Sequence, residues 1–386
     1  MTEPGAPPER RATPRPVSPA RADERAGAAR FFAQTYAEAR DKFFSAARSC
    51  GLGVESHVHP LPGRDGEMLA MDVARDGSPE AKSLLIVSSG CHGVEGFCGS
   101  GVQVALLRDP DWHQSAEDAG VAVLYVHGLN PYGFSWWRRT THENVDLNRN
   151  FRDFAAPAPA NDRYDEIAAA IVPSIWPADA AADAALDRFV AAHGQRALQQ
   201  AISGGQYRHP DGLFYGGSAP TWSHTTLRQV LREHGRRCER LAWIDFHTGL
   251  GPSGHGERIF ACRDDADAHA RAKAWWGDIT SFYDGSSTSA VLTGLMTLVA
   301  YEECAQAEYT AMALEYGTVP QADVMLALRA DQWLENHPGA DDATRRAIKQ
   351  QLRDVFYTDT DDWKQRIVEQ GVDAARRAAR GLSGGH

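Results

Sequence analysis

Short apolar runs that end at glycine or polar residues constrain most strongly how this chain can fold. Six such runs alternate with segments of helical character: GEMLAMDVAR, SLLIVSSG, VAVLYVHGLN, LAWIDFHTG, ERIFACR and TAMALEYGT. Strands that alternate with helices predict an α/β fold, in which a mixed, largely parallel twisted sheet carries helices on both faces. The chemistry of such sheets gathers beyond the carboxyl ends of the strands. The unusual polar residues of this chain stand at those ends.

The composition changes along the chain and predicts how it is organised. Residues 1–28 are rich in Pro, Arg and Ala and predict a disordered N-terminal segment, because little apolar surface can be buried there. Residues 29–386 predict one folded domain. Within that domain, residues 155–240 are rich in Ala and Pro and predict a helical insertion or lid, here called the insertion. Residues 322–386 predict C-terminal helices.

The overall charge and the absence of long apolar runs exclude several classes of partner. With 40 basic and 51 acidic residues the net charge is −11, which disfavours binding to nucleic acid or to an anionic membrane. No continuous apolar stretch predicts a signal peptide or a membrane span. We therefore expect a cytoplasmic protein, in which scattered cysteines are mostly buried thiols: Cys50, Cys91, Cys98, Cys238, Cys262 and Cys304.

Three residues of the types that bind zinc follow two of the apolar runs. His92 and Glu95 stand in CHGVEGFCGSG, close enough on a tight turn to face one centre. An HxxE pair alone also occurs by chance, as a surface or helix-capping pair. His247 in WIDFHTGLG completes a set of two nitrogens and one carboxylate, which is typical of catalytic zinc with one position left for water. Asp245 shares its face of the strand and could support the site.

Two further motifs carry groups that bind or polarise a substrate. Arg149 and Asn148 in VDLNRNF offer a guanidinium fork and an amide that match a carboxylate, although a buried salt bridge is the simpler alternative. In WWRRT, either Arg138 or Arg139 could face a developing oxyanion, since adjacent side chains point opposite ways. Glu315 lies in the apolar run TAMALEYGT, where partial burial would raise its pKa and suit it as a general base.

Together these motifs resemble those of the zinc carboxypeptidase family and its clan, which includes the aspartoacylase-like amidohydrolases. HGVE (92–95), WRRT (137–140), DLNRNF (146–151), DFHTG (245–249) and ALEYG (313–317) occur in the family's order. The likeness is greatest to a poorly characterised bacterial branch. The family's mobile tyrosine has three candidate counterparts: Tyr283, Tyr301 and Tyr309.

The resemblance assigns a role to each of these residues. It implies zinc bound by His92, Glu95 and His247, with Glu315 as general acid and base. Asn148 and Arg149 would hold the substrate's carboxylate, while Arg138, next to tryptophan, would polarise the scissile carbonyl. The implied fold is that of a zinc carboxypeptidase.

We expect a zinc hydrolase of an amide bond beside a free carboxylate, in a short peptide or, alternatively, in an N-acyl amino acid or related small amide. A zinc-containing binding protein without activity is a further alternative. One zinc per chain is expected. Manganese or cobalt would suit the same ligands, and a second metal could involve His127, His142, Asp245 or His255. The chain has no P-loop and no G-x-S-x-G elbow.

Overall fold

The computed structural model describes residues 27–384, so residues 1–26 of the predicted disordered segment lie outside the described residues. Seven strands form one sheet within the described range: β1 (Val54–Pro62), β2 (Met68–Asp76), β3 (Ser83–Ser89), β4 (Val121–His127), β5 (Arg240–Ser253), β6 (Gly256–Phe260) and β7 (Glu308–Gly317).

The strands lie in the order β1-β2-β4-β3-β5-β7-β6. The four central strands β4, β3, β5 and β7 run parallel to one another, and β1, β2 and β6 add antiparallel edges. This arrangement confirms the predicted mixed α/β sheet. It also brings the carboxyl ends of β3, β5 and β7, which carry the HGVE, DFHTG and ALEYG motifs, to neighbouring positions at one edge of the sheet.

Thirteen α-helices lie within residues 27–384: α1 (Tyr36–Ser49), α2 (Gly96–Leu107), α3 (Pro110–Asp118), α4 (Pro131–Trp136), α5 (Asp162–Ile171), α6 (Ala180–His193), α7 (Gln195–Ser203), α8 (Trp222–His234), α9 (Ala266–Trp276), α10 (Ala300–Glu303), α11 (Gln321–Asn336), α12 (Asp342–Phe356) and α13 (Asp361–Leu382). In the part of the chain that the structure describes, none of them combines the length and the apolar character needed to cross a membrane.

The sheet separates a packed face from the face that carries the polar motifs. On the packed face, Phe246 of β5 stacks on Tyr316 of β7. Helix α13 covers this face, and its Ile367 carbonyl oxygen accepts a hydrogen bond from the Tyr316 hydroxyl. Alternate residues of a strand point to opposite faces. Asp245 and His247 therefore point to the opposite face.

A second apolar cluster covers the face of the polar motifs. It joins the insertion to the C-terminal helices, because buried side chains of α5, α6 and α7 pack with those of α11 and α12. Its members include Tyr164, Ile167, Ile171, Phe189, Ile202, Phe214, Val324, Leu328, Leu352 and Phe356. The insertion is thus built into the folded unit by the same burial of apolar surface that holds the main core together.

Candidate active site

The first two candidate ligands lie on a tight turn between β3 and α2. His92 comes shortly after β3, and Glu95 ends the short 3₁₀ turn Gly93–Glu95. A Cβ atom on Gly93 would lie 2.0 Å from the backbone carbonyl carbon of Gly133 in α4, so the turn can approach that helix only because it carries glycine there. Both candidate ligand side chains are buried at the edge of the sheet.

The side chains of three candidate ligands converge on one point. His92 Nδ1 lies 2.9 Å from Glu95 Oε1 and 3.2 Å from His247 Nδ1. His247 Nδ1 lies 3.1 Å from Glu95 Oε2. Ligand atoms of a tetrahedral zinc ion stand about 3.3 Å apart, given bonds of about 2.0 Å. The donor types and their separations therefore fit one ion of zinc size.

Each histidine has a carboxylate beside its other ring nitrogen. Asp245 Oδ2 lies 2.6 Å from His247 Nε2, whereas His92 Nε2 lies 2.7 Å from Arg139 Nη2 and 3.3 Å from Asp146 Oδ1. Asp245 is itself held by the Ser88 hydroxyl, which donates to Oδ1 at 2.5 Å. By accepting from His247 Nε2, the Asp245 carboxylate leaves Nδ1 free to bind a metal and fixes the orientation of the ring.

The charges around this cluster shift several pKa values. Burial alone would raise the pKa of Glu95, but His92, His247 and Arg139 outweigh it and hold the pKa well below its ordinary range. Burial would lower the pKa of His247, but Asp245 and Glu95 raise it well above its ordinary value. The cluster is thus a negative centre that attracts a proton or, in its place, a cation.

Glu315 lies next to the candidate ligands in the sheet. It is the partner of His247 in the register of β5 and β7, and it lines the same cleft. Its Oε1 accepts a hydrogen bond of 3.0 Å from Leu250 N. Burial, followed by repulsion from Glu95, raises the pKa of Glu315 to about 8. A carboxyl group with a pKa in this range can both take up and release a proton near neutral pH.

Of the two adjacent arginines, the structure brings Arg139 rather than Arg138 to the cluster. The Arg138 guanidinium turns towards α11, where Nε lies 3.4 Å from Asp331 Oδ2 and Nη1 lies 3.5 Å from Glu335 Oε2. Arg139 Nη1 instead donates to Glu95 Oε1 at 3.0 Å. The expectation that Arg138 faces the substrate is therefore corrected, because side chains of neighbouring residues leave the backbone in opposite directions.

Asn148 and Arg149 line the cleft together with His92 and His247. The Arg149 guanidinium donates twice to the carbonyl oxygen of Ser203 in α7 (Nε at 3.1 Å and Nη2 at 2.5 Å) and once to the carbonyl oxygen of Asn148 (Nη1 at 2.9 Å). The insertion therefore fixes the orientation of Arg149. Since a guanidinium has five N–H groups, these three bonds leave two more for a ligand.

The rest of the cleft wall is mostly apolar. One side comes from the insertion and α11, and the other from β6, β7 and the segment that precedes α10. The apolar lining residues are Phe214, Leu250, Ile259, Ala261, Phe282, Ala290, Leu292, Leu295, Ala313, Val324, Met325, Leu328 and Phe356. A small organic molecule could place its polar end against the arginines and its apolar part against this wall.

The three candidate tyrosines do not line the cleft among the described residues. The Tyr283 hydroxyl donates to the carbonyl oxygen of Cys262 at 3.0 Å, and the Tyr309 hydroxyl donates to that of Thr297 at 2.9 Å. Tyr301 packs edge-on against Tyr309.

Of the four residues named for a second metal, Asp245 alone contacts a candidate ligand within the described part of the chain. His127 is buried beside Ser100, His142 contacts Glu143, and His255 is exposed.

Several residues at the site were given no role by the sequence. Ser88 supports Asp245 from the middle of an apolar strand, and the Ser203 carbonyl holds Arg149 from the end of a helix. Phe214 packs against the guanidinium groups of Arg139 and Arg149, with its ring centre 5.0 and 5.5 Å from their Cζ atoms. The aromatic and glycine-rich segment around Phe214 was visible in the sequence. The two serines give no signal, because their roles depend on contacts between distant parts of the chain.

The comparisons with known proteins agree with this architecture. The family described as "Protein of unknown function (DUF2817)" matches residues 32–370. No curated protein matches the chain. Carboxypeptidase A from Helicoverpa armigera is similar in structure, with 11% identity and a TM-score of 0.50 over 91% of this chain and 74% of that chain. Thrombin activatable fibrinolysis inhibitor is similar with 12% identity and a TM-score of 0.52, over 92% of this chain and 75% of that one. The predicted resemblance to the carboxypeptidase fold is confirmed.

Proposed function

This chain belongs to the DUF2817 family of proteins of unknown function, and we propose that it is a zinc-dependent hydrolase that cleaves an amide bond beside a free carboxylate. The observation that supports this most strongly is the convergence of His92 Nδ1, His247 Nδ1 and the Glu95 carboxylate within 3.2 Å of one another. Glu315 lies beside this cluster, paired with His247 in the sheet.

In the proposed reaction, His92, Glu95 and His247 hold the metal and Glu315 moves the proton. When bound, zinc supplies a Lewis acid that makes water more acidic and polarises a carbonyl group. Glu315 accepts a proton from the attacking water as the water oxygen bonds to the carbonyl carbon. The C–N bond then breaks, and Glu315 passes the proton to the leaving nitrogen, which gives an amine and a carboxylic acid.

Arg139 is the proposed group that stabilises the negative charge of the transition state. Its side chain is 14% exposed and its guanidinium contacts Glu95 and Asp146 at 3.0 Å each, so its position is fixed before the substrate arrives. A fixed positive charge in a site that excludes water stabilises a developing oxyanion more than one in solution does.

Asn148 and Arg149 are proposed to bind the substrate's carboxylate. Arg149 is held by Ser203 and is buried, so a carboxylate that reaches it loses water and gains a charge-assisted pair of hydrogen bonds. This contact would also place the neighbouring amide bond at a constant distance from His247 and Glu315.

A small substrate, such as an N-acyl amino acid or a dipeptide, fits the cleft better than a long peptide. The insertion contributes Gln199 and Ser203 to the cleft wall and packs on α11 and α12, so this wall is fixed by a shared apolar core. Both substrate types carry the free carboxylate that Arg149 would bind.

Hydrolysis of matched substrate pairs tests the proposal. Zinc-loaded protein would be assayed on N-acetyl amino acids and dipeptides, each beside the same molecule with its carboxylate capped as an amide. We expect kcat/KM to be at least about 100-fold higher for the free carboxylates, because capping removes the ionic partner of Arg149. No hydrolysis of any member by zinc-loaded protein would instead favour a binding protein without activity. Equal rates for capped and free substrates would contradict the role of Arg149.

A further inference from the structure

A second group of metal-binding side chains lies away from the cleft, between the edge strand β1 and the end of α8. Glu55 and His57 are two residues apart on β1, so both point to the same face of the sheet. Glu233 and His234 are the last two residues of α8. The Arg75 guanidinium holds the helix end against the sheet by donating to the His234 carbonyl oxygen at 3.1 Å.

Glu55, His57 and Glu233 face one another, and His234 lies beside Glu55. His57 Nε2 lies 3.2 Å from Glu55 Oε1, and His234 Nε2 lies 3.7 Å from Glu55 Oε2. One ligand atom from each of Glu55, His57 and Glu233 falls within 4.8 Å of the other two. The Glu233 carboxylate also accepts a hydrogen bond from Gln229, whose Nε2 donates to Oε1 at 2.8 Å.

Both imidazole groups have an unsatisfied nitrogen at this point. His57 Nε2 and His234 Nε2 are shielded from solvent, and neither forms a hydrogen bond with a described residue, although a Glu55 oxygen lies 3.2 Å from the first and 3.7 Å from the second. Their side chains are only 12% and 20% exposed, so a nitrogen without a hydrogen bond is costly there.

We propose that Glu55, His57, Glu233 and His234 bind a second divalent transition-metal ion, which ties β1 to the C-terminal end of α8. A single ion can satisfy two imidazole nitrogens and two carboxylates at once, whereas one shared proton cannot. Imidazole and carboxylate together suit zinc, nickel or copper. The C-terminal end of a helix also favours a positive ion. This site does not depend on the proposed hydrolase activity.

Zinc titration of the full-length protein, first stripped of metal with a chelator, tests this site. We expect His57→Ala and His234→Ala each to bind one equivalent of zinc fewer than the wild type. Glu55→Gln, which keeps the shape of the side chain, should bind that equivalent at least about tenfold more weakly, since it removes a charged ligand. His193→Ala is the matched control, because His193 is also the last residue of a helix, α6.

The His247→Ala variant separates this site from the one in the cleft. His247→Ala protein should still bind one equivalent of zinc, at this second site, whereas the double variant His57→Ala/His247→Ala should bind none. Zinc should also raise the Tm of His247→Ala protein and leave that of the double variant unchanged. The proposal is overturned if folded His57→Ala and His234→Ala proteins bind as much zinc as the wild type with unchanged affinity. That outcome would leave the proposed active site untouched.

Discussion

Glu315 occupies a position where a carboxyl group is costly, since it is buried in an apolar strand beside the negative charge of Glu95. We expect Glu315→Gln to keep the metal but to lower kcat by about 10³, because an amide cannot move the proton. Steady-state kinetics and elemental analysis of the same preparation measure both quantities.

Glu308→Gln provides the control for this change. Glu308 is exposed at the start of the same strand, so its substitution removes a carboxylate from β7 without reaching the cleft. Near-normal turnover by zinc-loaded Glu315→Gln protein would show that another group moves the proton.

Alanine at Arg139 should lower activity, whereas alanine at Arg138 should lower stability. Arg139→Ala should lower kcat/KM by about 10² to 10³, as does the loss of a group that stabilises an oxyanion. Arg138→Ala should instead lower the free energy of unfolding by about 1.5 kcal/mol, because it removes one ionic contact of the buried Asp331, which keeps Lys349 Nζ at 2.6 Å from Oδ1. Kinetics and urea unfolding of both variants separate the two effects. A larger loss of activity in Arg138→Ala than in Arg139→Ala would contradict the role of Arg139 and support Arg138, the residue assigned from the sequence, as the group that polarises the carbonyl.

At the scale of elements, the six apolar runs predicted β2 to β7, since each buries most of its residues in the sheet. They did not predict β1, which is an edge strand with mostly exposed or half-exposed residues and therefore no apolar pattern. The first helix, α1, begins at Tyr36, where Thr35 caps it by accepting a hydrogen bond from Glu38 N at the spacing of a capping box.

His127, at the end of β4, should make stability depend on pH. Burial lowers the pKa of His127 to about 4, whereas an unfolded histidine titrates near 6.5. Between these two pH values the unfolded chain binds more protons than the folded chain. The neutral His127 therefore contributes about 3 kcal/mol to the free energy of unfolding above pH 6.5, and this contribution is lost as the pH falls towards 4.

Urea unfolding of metal-free protein at pH 7 and pH 4.5 measures this loss. We expect His127→Gln to lose less stability between the two pH values than the wild type, and the exposed His255→Gln to behave like the wild type. Equal losses in wild type and His127→Gln would show that His127 does not control the acid transition.

At the scale of the whole molecule, the insertion and the C-terminal helices form one wall of the cleft. We expect kcat/KM for a ten-residue peptide to be at least about tenfold lower than for a dipeptide with the same C-terminal residue, because the longer chain must displace this packed wall. Competition between the two peptides in one assay measures the ratio. Preferred cleavage of the long peptide would contradict the proposed restriction to small substrates.

The sequence predicted which motifs meet, because parallel strands place their carboxyl ends side by side. It could not predict the direction of a side chain on an irregular segment, and this is why Arg138 was chosen over Arg139. Nor could it show that Ser203, in the insertion, holds Arg149.

The central claim is that His92, Glu95 and His247 hold a metal ion, and metal analysis of purified protein tests it most directly. Wild type, His247→Ala and the exposed control His255→Ala would be purified side by side, loaded with zinc and dialysed. We predict that His247→Ala contains one zinc per chain fewer than the wild type and that His255→Ala contains the same amount. Equal zinc in His247→Ala and the wild type, or no zinc in any of them, would contradict the proposed centre.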